Sequence, residues 1–540
     1  MTRKVAVPTK GELLQLQKLY KTDEKIGERL GGVPAYLVAY WRRKKNIPKH
    51  SLPKFSEMEV RNLWERYGDD EKAGLELGLS KAAFYNWRRR YGIREKPAFL
   101  KLEQLEFAFP GATLSAHANS LYGKQSVAQK ILARAAGVER AEVGESIDVE
   151  PDLAVSHREI GEVVQRFKKL GAVYVWNPNK IVITEDYLGS GESPAPIIEP
   201  KVIHEFVKRQ RIKGVYDLRE GLSQQVVIEN GHILPGELVV AVGTNAGAFG
   251  CLGSHSASLT PELVAQLWAA GKTTLRVPPT IRIVVGGRKG RGVYVRDILM
   301  AIKRKIGAAA AAGAVIEYSG SVISQTTLSE RITLSSLANE VGAVGAIAPY
   351  DSTTRRYLTG RGPGNYKPII PDKNAEYASI FQINIDQVVP QIACPMPADT
   401  IKDVAELEGT SIQLVILGSL ANGRFDDLRI AADILKGKQV HADCRLLIVP
   451  ASRAVYLEAL KKGLIRVFVE AGAVIVSSGS FDERSLAGSL AGGERGLTTF
   501  GSEIAAQTGA TGAEFYLCSP ATAAVSALNA SITDPTRFVR

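Results

Sequence analysis

The chain has 540 residues, which is long for one domain and suits three or four. Hydrophobic residues make up 45% and charged residues 23%, as in soluble globular proteins, and the most apolar stretch, residues 307–316, is too short to cross a bilayer. The amino terminus, Met1-Thr2-Arg3-Lys4, leads into a charged segment, which argues against a signal peptide. We therefore expect a cytoplasmic protein with no membrane contact.

The four cysteines are far apart in the sequence. Cys251, Cys394, Cys444 and Cys518 all lie more than four residues from one another, so the chain has no Cys-x-x-Cys motif. Isolated cysteines of this kind are usually buried thiols. The spacing predicts no metal site.

The positive charge is concentrated near the amino terminus. Residues 1–100 contain 22 Lys and Arg but 12 Asp and Glu, whereas the remaining residues contain 46 and 44. A nearly neutral body thus carries a basic amino-terminal region. This asymmetry favours a polyanionic partner for that region, although a solvated basic surface has the same composition.

The basic region contains two copies of one unit. Trp41-Arg42-Arg43 recurs 46 residues later as Trp87-Arg88-Arg89, and Asp23-Glu24-Lys25 recurs 47 residues later as Asp70-Glu71-Lys72. Each copy has the pattern of a helix, a short helix, a glycine turn and a final helix. We predict an all-α tandem domain made of units 1–50 and 51–100, followed by a linker over residues 101–123.

The turn in each unit predicts a DNA-binding arrangement. Gly78 allows a tight turn, and Ser80 is expected to cap the final helix of the second unit. This resembles the helix-turn-helix of small DNA-binding domains, whose helix after the turn lies in the major groove. We expect Trp41 and Trp87 in the core, and an oligomerisation or docking module with a basic face is the alternative. The candidates for contact with duplex DNA are Arg42, Arg43, Lys44, Lys45, Lys81, Tyr85, Asn86, Arg88, Arg89 and Arg90.

After residue 124 the chain alternates β-branched apolar runs with helical patterns. Such alternation is typical of α/β layers with largely parallel strands. The clearest strand candidates are residues 180–183, 238–240, 281–285, 414–417 and 446–449.

Several motifs then occur in a recognisable order. They are residues 127–137, 247–250, 317–320, 330–334, 340–343, 418–424 and 519–524. This order resembles the large subunits of 3-isopropylmalate dehydratase and homoaconitase, in the aconitase superfamily. The resemblance implies an aconitase-like three-domain fold, with domains 1 and 2 in 124–390 and domain 3 in 391–540. It also implies a separate small subunit with a swivelling domain as a partner, unless that domain was lost along with the chemistry. A homo-oligomer is the alternative.

The resemblance also shows which residues differ from the family pattern. Three cysteines hold a [4Fe–4S] cluster in that family, and here their places are Leu420 and the cysteine-free segment 479–483. The family's Asp-His pair is Asp186-Tyr187, its Gly-x-Cys-His-Gln motif is residues 221–225, and its substrate-binding Asn-Arg-Asn-Phe is residues 500–503. The resemblance therefore implies a chain with no cofactor that no longer performs dehydratase chemistry.

The substrate cleft that the resemblance implies is expected to keep some polar side chains in its lining. Each candidate could equally be a salt-bridge or cap residue within the fold. The ligand-pocket candidates are Asp186, Tyr187, Arg331, Asn422, Arg424 and Ser519.

Three functions fit these observations. The first is a nucleic-acid-binding protein that responds to a small metabolite. The second is an enzyme with new iron–sulfur-independent lyase or isomerase chemistry on a small metabolite. The third is a scaffold that docks partners.

Overall fold

The computed structural model has two compact units, Met1–Ser120 and Leu121–Arg540. The predicted linker 101–123, Asp186, Tyr187, Leu420 and the segment 479–483 lie outside the described residues. The structure describes residues 7–20, 22–48, 55–93, 124–157, 159–184, 200–217, 220–307, 309–336, 338–361, 365–395, 400–418, 422–478, 490–500 and 512–539.

The described part of the amino-terminal unit consists of two three-helix units, in the predicted order of elements. As expected, the hydroxyl of Ser80 accepts a hydrogen bond from the Ala83 N–H and so caps the last helix. Gly78 has a φ of +66°, which the turn requires. The helices are α1 (Lys10–Tyr20), α2 (Asp23–Arg29), α3 (Ala35–Lys44), α4 (Glu57–Tyr67), α5 (Asp70–Glu76) and α6 (Lys81–Arg90).

Each three-helix unit has its own small apolar core. Trp41 is buried in the first core, as predicted. Trp87 is half-buried and packs against the rings of Phe55 and Tyr91, each at a centroid distance of 5.8 Å. The buried members are Leu13, Ile26, Val33, Val38, Trp41 and Ile47 in the first core, and Val60, Trp64, Ala73, Phe84 and Ile93 in the second.

The larger unit contains a two-stranded antiparallel ribbon, Ser146–Val149 with Thr273–Arg276, and three sheets. All five predicted strand segments form strands, and each has only parallel neighbours. The strands are β1 (Ser146–Val149), β2 (Leu153–Ser156), β3 (Ile181–Thr184), β4 (Gly214–Tyr216), β5 (Leu238–Val242), β6 (His255–Leu259), β7 (Thr273–Arg276), β8 (Thr280–Gly286), β9 (Val315–Ser319), β10 (Gly345–Ile347), β11 (Ser379–Asn384), β12 (Gln391–Ala393), β13 (Ile401–Asp403), β14 (Leu414–Gly418), β15 (Arg445–Val449), β16 (Val474–Ile475), β17 (Arg495–Thr498) and β18 (Glu514–Cys518).

The three sheets follow one another along the chain. The first has the order β4-β3-β2-β5-β6 and the second β10-β9-β8-β11, and both are parallel. The third has the order β13-β12-β18-β17-β14-β15-β16, in which β12 runs antiparallel to both neighbours. This mixed α/β architecture with parallel sheets agrees with the expected fold class.

Helices connect and cover the strands of the three sheets. No helix in the described ranges is long and apolar enough to span a membrane. The helices of the larger unit are α7 (Val127–Ala136), α8 (Ile160–Lys169), α9 (Pro200–Gln210), α10 (Ser223–Glu229), α11 (Pro261–Ala270), α12 (Val295–Ile306), α13 (Ser321–Ser324), α14 (Leu328–Ser336), α15 (Ser352–Leu358), α16 (Phe425–Leu435), α17 (Arg453–Lys461), α18 (Leu464–Glu470) and α19 (Pro520–Asn529), with short 3-10 helices at Pro178–Lys180, Thr244–Leu252, Ala338–Val341, Val404–Leu407 and Pro535–Arg537.

Candidate functional site

Polar side chains from segments that follow strands of all three sheets contact Arg424. The Arg424 side chain is buried, with 3% of the residue exposed. Its Nε donates to Oε1 of Gln225 on α10 at 3.1 Å, and its Nη1 donates to Oγ1 of Thr333 on α14 at 3.0 Å. We call Gln225, Thr333, Asn422, Arg424 and Asp427 the junction cluster, because it joins segments that follow strands of three different sheets.

The loop between β14 and α16 sets the position of Arg424. The Arg424 backbone N–H and the Asn422 Nδ2 each donate to the Asp427 carboxylate at 3.1 Å, which fixes the start of α16. Gly423 has a φ of +85°, and a Cβ there would lie 2.3 Å from the Val449 carbonyl oxygen, so a side chain does not fit. Burial raises the pKa of Asp427 and lowers the pKa of Arg424, and the attraction between the two charges opposes both shifts.

A second set of contacts lies beside the junction cluster. The Glu229 carboxylate accepts from Gln225 Nε2 at 3.0 Å and from the hydroxyl of Ser452 at 2.8 Å. The Leu222 N–H donates to the Ala451 carbonyl at 2.9 Å, so backbone also crosses this boundary. Burial raises the pKa of Glu229. Segments belonging to the first and third sheets are thus hydrogen-bonded next to Arg424.

Arg331, a predicted pocket residue, forms hydrogen bonds and an ion pair within the fold. Its guanidinium is fully buried, and Nη1 donates to Asp351 Oδ1 at 3.0 Å and to the Pro349 carbonyl at 2.9 Å. Asp351 also caps α15 by accepting from the Thr353 N–H at 2.8 Å. Arg331 therefore holds the segment between β10 and α15 in place.

Ser519 also has a structural role in the described residues. It is buried at the start of α19, where its hydroxyl accepts from the Thr522 N–H at 3.4 Å and lies 3.1 Å from the Thr522 hydroxyl. The structure therefore brings together Asn422 and Arg424, while Arg331 and Ser519 stabilise their own segments.

Two amide oxygens, one in the junction cluster and one on the residue that precedes Gln225, lack a hydrogen-bond partner among the described residues. They are Asn422 Oδ1 and Gln224 Oε1, and both are buried. The Asn422 amide is oriented by the bond from its Nδ2 to Asp427. Buried acceptors are normally satisfied, and an amide oxygen accepts from an O–H or N–H donor. A ligand here would offer hydroxyl or amino groups.

The four cysteines are free thiols. A thiolate is the form that binds metal. Burial raises the pKa of all four thiols, to about 12 for Cys251 and Cys444, and upward for Cys394 and Cys518. The ranges that the structure describes contain no group of three or more His, Cys, Asp or Glu side chains placed to hold a metal ion.

In the amino-terminal unit, two candidates for contact with DNA are buried. Arg42 donates from Nε and Nη2 to the Asp23 carboxylate at 3.0 and 2.9 Å, and from Nη1 to the Ile47 carbonyl at 3.1 Å. Arg88 makes the equivalent bonds to Asp70, at 2.7 and 2.9 Å. The structure therefore places both side chains in the helical cores, and not on the surface that the sequence analysis assigned to them.

The remaining candidates for contact with DNA do lie toward solvent. Lys45 is partly exposed, and the other members are exposed. The exposed members are Arg43, Lys44, Lys81, Tyr85, Asn86, Arg89 and Arg90.

Several residues of the site escaped prediction. Gln225 was interpreted as the remnant of an altered motif, and Thr333 as part of a family segment, so their positions were known but their contacts were not. Glu229 and Ser452 gave no signal in the sequence. The repeated aspartates Asp23 and Asp70, in contrast, were a usable signal for the buried arginine pairs.

Comparison with known proteins identifies the family. The model of the Aconitase family (aconitate hydratase) matches residues 199–530. The 3-isopropylmalate dehydratase large subunit 1 of Methanopyrus kandleri is 37% identical over 418 residues, which cover 77% of this chain and 100% of that protein. The probable methanogen homoaconitase large subunit of Methanosarcina mazei is 35% identical over 376 residues, covering 69% and 95%.

Among solved structures, Thermococcus kodakaraensis aconitase X (holo-form) matches with 14% identity and a TM-score of 0.36, covering 75% of this chain and 93% of that one. This similarity is too low to bear on fold or function. The family model and the sequence relatives are sufficient to identify the family, and they confirm the resemblance seen in the motifs. The chain therefore belongs to the aconitase family and is related to the large subunits of 3-isopropylmalate dehydratase and homoaconitase.

Proposed function

We propose that this aconitase-family protein binds duplex DNA through its amino-terminal unit, and that its body responds to a small metabolite without an iron–sulfur cluster or dehydratase activity. The observation that carries the DNA-binding part is the exposed polar face of α3 and α6. Each of these helices is the last of its three-helix unit and follows the turn. In helix-turn-helix proteins, the helix that follows the turn enters the major groove.

The cations on these helices are available to phosphates. Arg89 and Lys44 lie over ring faces of their own helices in cation–π geometry, at 5.7 Å from Tyr85 and 5.9 Å from Tyr40. The Lys81 Nζ lies 3.8 Å from Oε2 of Glu71. Both side chains are 65% exposed, so this ion pair contributes little to stability. Exposed cations of this kind release counterions from DNA when they bind phosphates.

The loss of dehydratase chemistry rests on substitutions in the family motifs. No cysteine occupies the three ligand places at Leu420 and within residues 479–483. Where the family has Cys-His-Gln, this chain has Ser223, Gln224 and Gln225. Gln225 accepts from Arg424, and the Ser223 hydroxyl accepts from Thr184 at 2.7 Å, so both residues bond within the fold. The acid–base groups and the metal ligands have changed together.

The metabolite response rests on two buried amide oxygens, one on Asn422 and one on Gln224, the residue that precedes Gln225. A small polar molecule with hydroxyl or amino groups would satisfy Asn422 Oδ1 and Gln224 Oε1. Because this position joins segments of three sheets, occupancy would stabilise their packing. The same acceptors would suit an enzyme with iron–sulfur-independent chemistry, and turnover of the bound molecule would distinguish that function.

The DNA-binding proposal can be tested with the full-length chain. We expect binding to a 30-base-pair duplex that weakens steeply as salt rises from about 50 to 300 mM. Replacing Arg89 and Arg90 by Ala should reduce affinity and flatten the dependence of log K on log salt by about 0.9 for each phosphate that the variant no longer neutralises. Arg466→Ala, at an 83% exposed side chain of the larger unit, is the matched control and should change neither. Absence of binding at low salt would refute the proposal.

The cofactor proposal has a separate test. Anaerobic reconstitution with iron and sulfide should leave the protein without stoichiometric iron, and citrate and isopropylmalate should neither bind nor be converted. Recovery of about four irons per chain with cluster absorption would contradict it. Micromolar binding of isopropylmalate would show that the ancestral site survives.

A further inference from the structure

We infer that the two three-helix units divide the recognition of DNA: the second reads base sequence through Asn86, and the first supplies charge without sequence information. This inference rests on the proposed DNA binding and assigns roles within it. The division of roles predicts that the DNA target contains an adenine whose major-groove edge is recognised by the protein.

The two final helices differ where helix-turn-helix proteins contact bases. The repeat offset of 46 residues aligns α3 with α6 and keeps the cationic ends, so Arg43 and Lys44 match Arg89 and Arg90. The residues that precede these cationic ends differ between the two helices. Lys81, Ala82 and Asn86 of α6 stand where α3 has Ala35, Tyr36 and Tyr40.

The face of α6 is suited to reading a base. Ala82, Asn86 and Arg90 are spaced four residues apart and are all exposed, so they share one side of the helix. The Asn86 amide can donate to adenine N7 and accept from adenine N6, the bidentate contact that distinguishes A·T from the other pairs. The small Ala82 leaves room for the helix to approach the groove.

The face of α3 is suited to the DNA backbone. Tyr36 and Tyr40 are 73% and 53% exposed, and a phenol offers one hydroxyl, which cannot make a bidentate contact to a base edge. The charge supports the same division. Residues 1–50 contain 12 Lys and Arg against 4 Asp and Glu, whereas residues 51–100 contain 10 against 8. The first unit thus carries most of the excess charge that phosphate binding uses.

The test uses the full-length chain and a random duplex library. We expect selected duplexes to share a position that requires A·T. Asn86→Ala should lower affinity for a selected duplex by about 5- to 100-fold, with less than about a twofold change for unrelated duplexes. Tyr40→Ala, at the aligned position of the first unit, is the control and should lower both affinities by the same factor. Asn86→Arg should shift the preferred pair from A·T to G·C, because arginine makes its bidentate contact to guanine.

The outcomes separate this inference from the function on which it rests. Binding of all duplexes with equal affinity would overturn the division of roles and leave DNA binding intact. Binding of no duplex at low salt would overturn both. Loss of base preference in Tyr40→Ala, with preference unchanged in Asn86→Ala, would reverse the assignment and overturn the inference. Circular dichroism of each variant checks that these exposed substitutions leave the helices folded.

Discussion

The amino-terminal unit and the junction cluster bury arginine in different ways. In the amino-terminal unit, Arg42 and Arg88 each bind an aspartate of the same three-helix unit, 19 and 18 residues upstream. In the larger unit, Arg424 donates to the neutral side chains of Gln225 and Thr333, which are 199 and 91 residues away. The local ion pair closes one small unit, whereas the distant contacts join three sheets.

A three-helix unit of about 40 residues has little apolar surface to bury, so an internal ion pair has a large share in defining its structure. The larger unit can also bury titratable groups at the cost of shifted pKa values. Burial lowers the pKa of His255 to about 4 and raises the pKa of Asp297 to about 7. These contrasts can be tested by substitution.

The largest effect is expected at the ion pair of the second three-helix unit. Arg88→Met should leave the partly buried Asp70 carboxylate and the Ile93 carbonyl without their donor, and destabilise the unit by about 3–5 kcal/mol. Hydrogen exchange of peptides from α4 to α6 would report the loss of protection. Arg89→Met, exposed on the same helix, should change stability by less than about 0.5 kcal/mol. Full protection in Arg88→Met would show that the apolar core alone closes the unit.

The next effect concerns the buried histidine of the larger unit. Since the pKa of His255 is about 4 when folded and about 6.5 when unfolded, the unfolded state binds more protons between these values. The free energy of unfolding should therefore fall by about 3 kcal/mol as the pH decreases through this window. His255→Leu should remove that part of the pH dependence, as measured by urea denaturation from pH 7 to pH 4. An unchanged slope in the variant would contradict the assignment.

A smaller effect is expected at the junction cluster. Arg424→Met keeps the side-chain volume but removes the donors to Gln225 and Thr333, which should cost about 2 kcal/mol. Hydrogen exchange should increase in α10, α14 and α16 together, because the contact joins them. The control is Arg453→Met, which removes an exposed ion pair with Glu220 at 3.0 Å and should cost less than about 1 kcal/mol. Increased exchange in α16 alone would mean that Arg424 does not couple the sheets.

The smallest effect distinguishes the two copies of the repeat. Ser80 caps α6, whereas α3 begins after Pro34 without a side-chain cap. Ser80→Ala should cost about 1 kcal/mol, and Ser80→Asp should retain the cap and most of the stability. Thermal unfolding followed by circular dichroism would measure both. Equal losses in the two variants would indicate that the cap contributes nothing.

Features that depend on neighbours along the chain could be predicted from the amino-acid sequence. The repeat, the turn at Gly78 and the cap at Ser80 are local patterns, and the structure has them where they were predicted. Apolar runs such as residues 238–240 and 414–417 likewise became strands, because a strand buried on both faces needs a continuous apolar run. The family followed from motif order, which requires no knowledge of contacts.

Composition and motif order did not distinguish the charged side chains that face inward from those that face solvent. Arg42 and Arg43 are adjacent, but a helix turns about 100° per residue, so the first is buried and the second is exposed. The sequence analysis predicted contact with DNA for both arginines. Arg424 contacts residues more than 90 positions away, and such pairs form only when separate sheets pack together. Sequence periodicity specifies the faces of each element, whereas the partner of a buried polar group depends on how those faces meet.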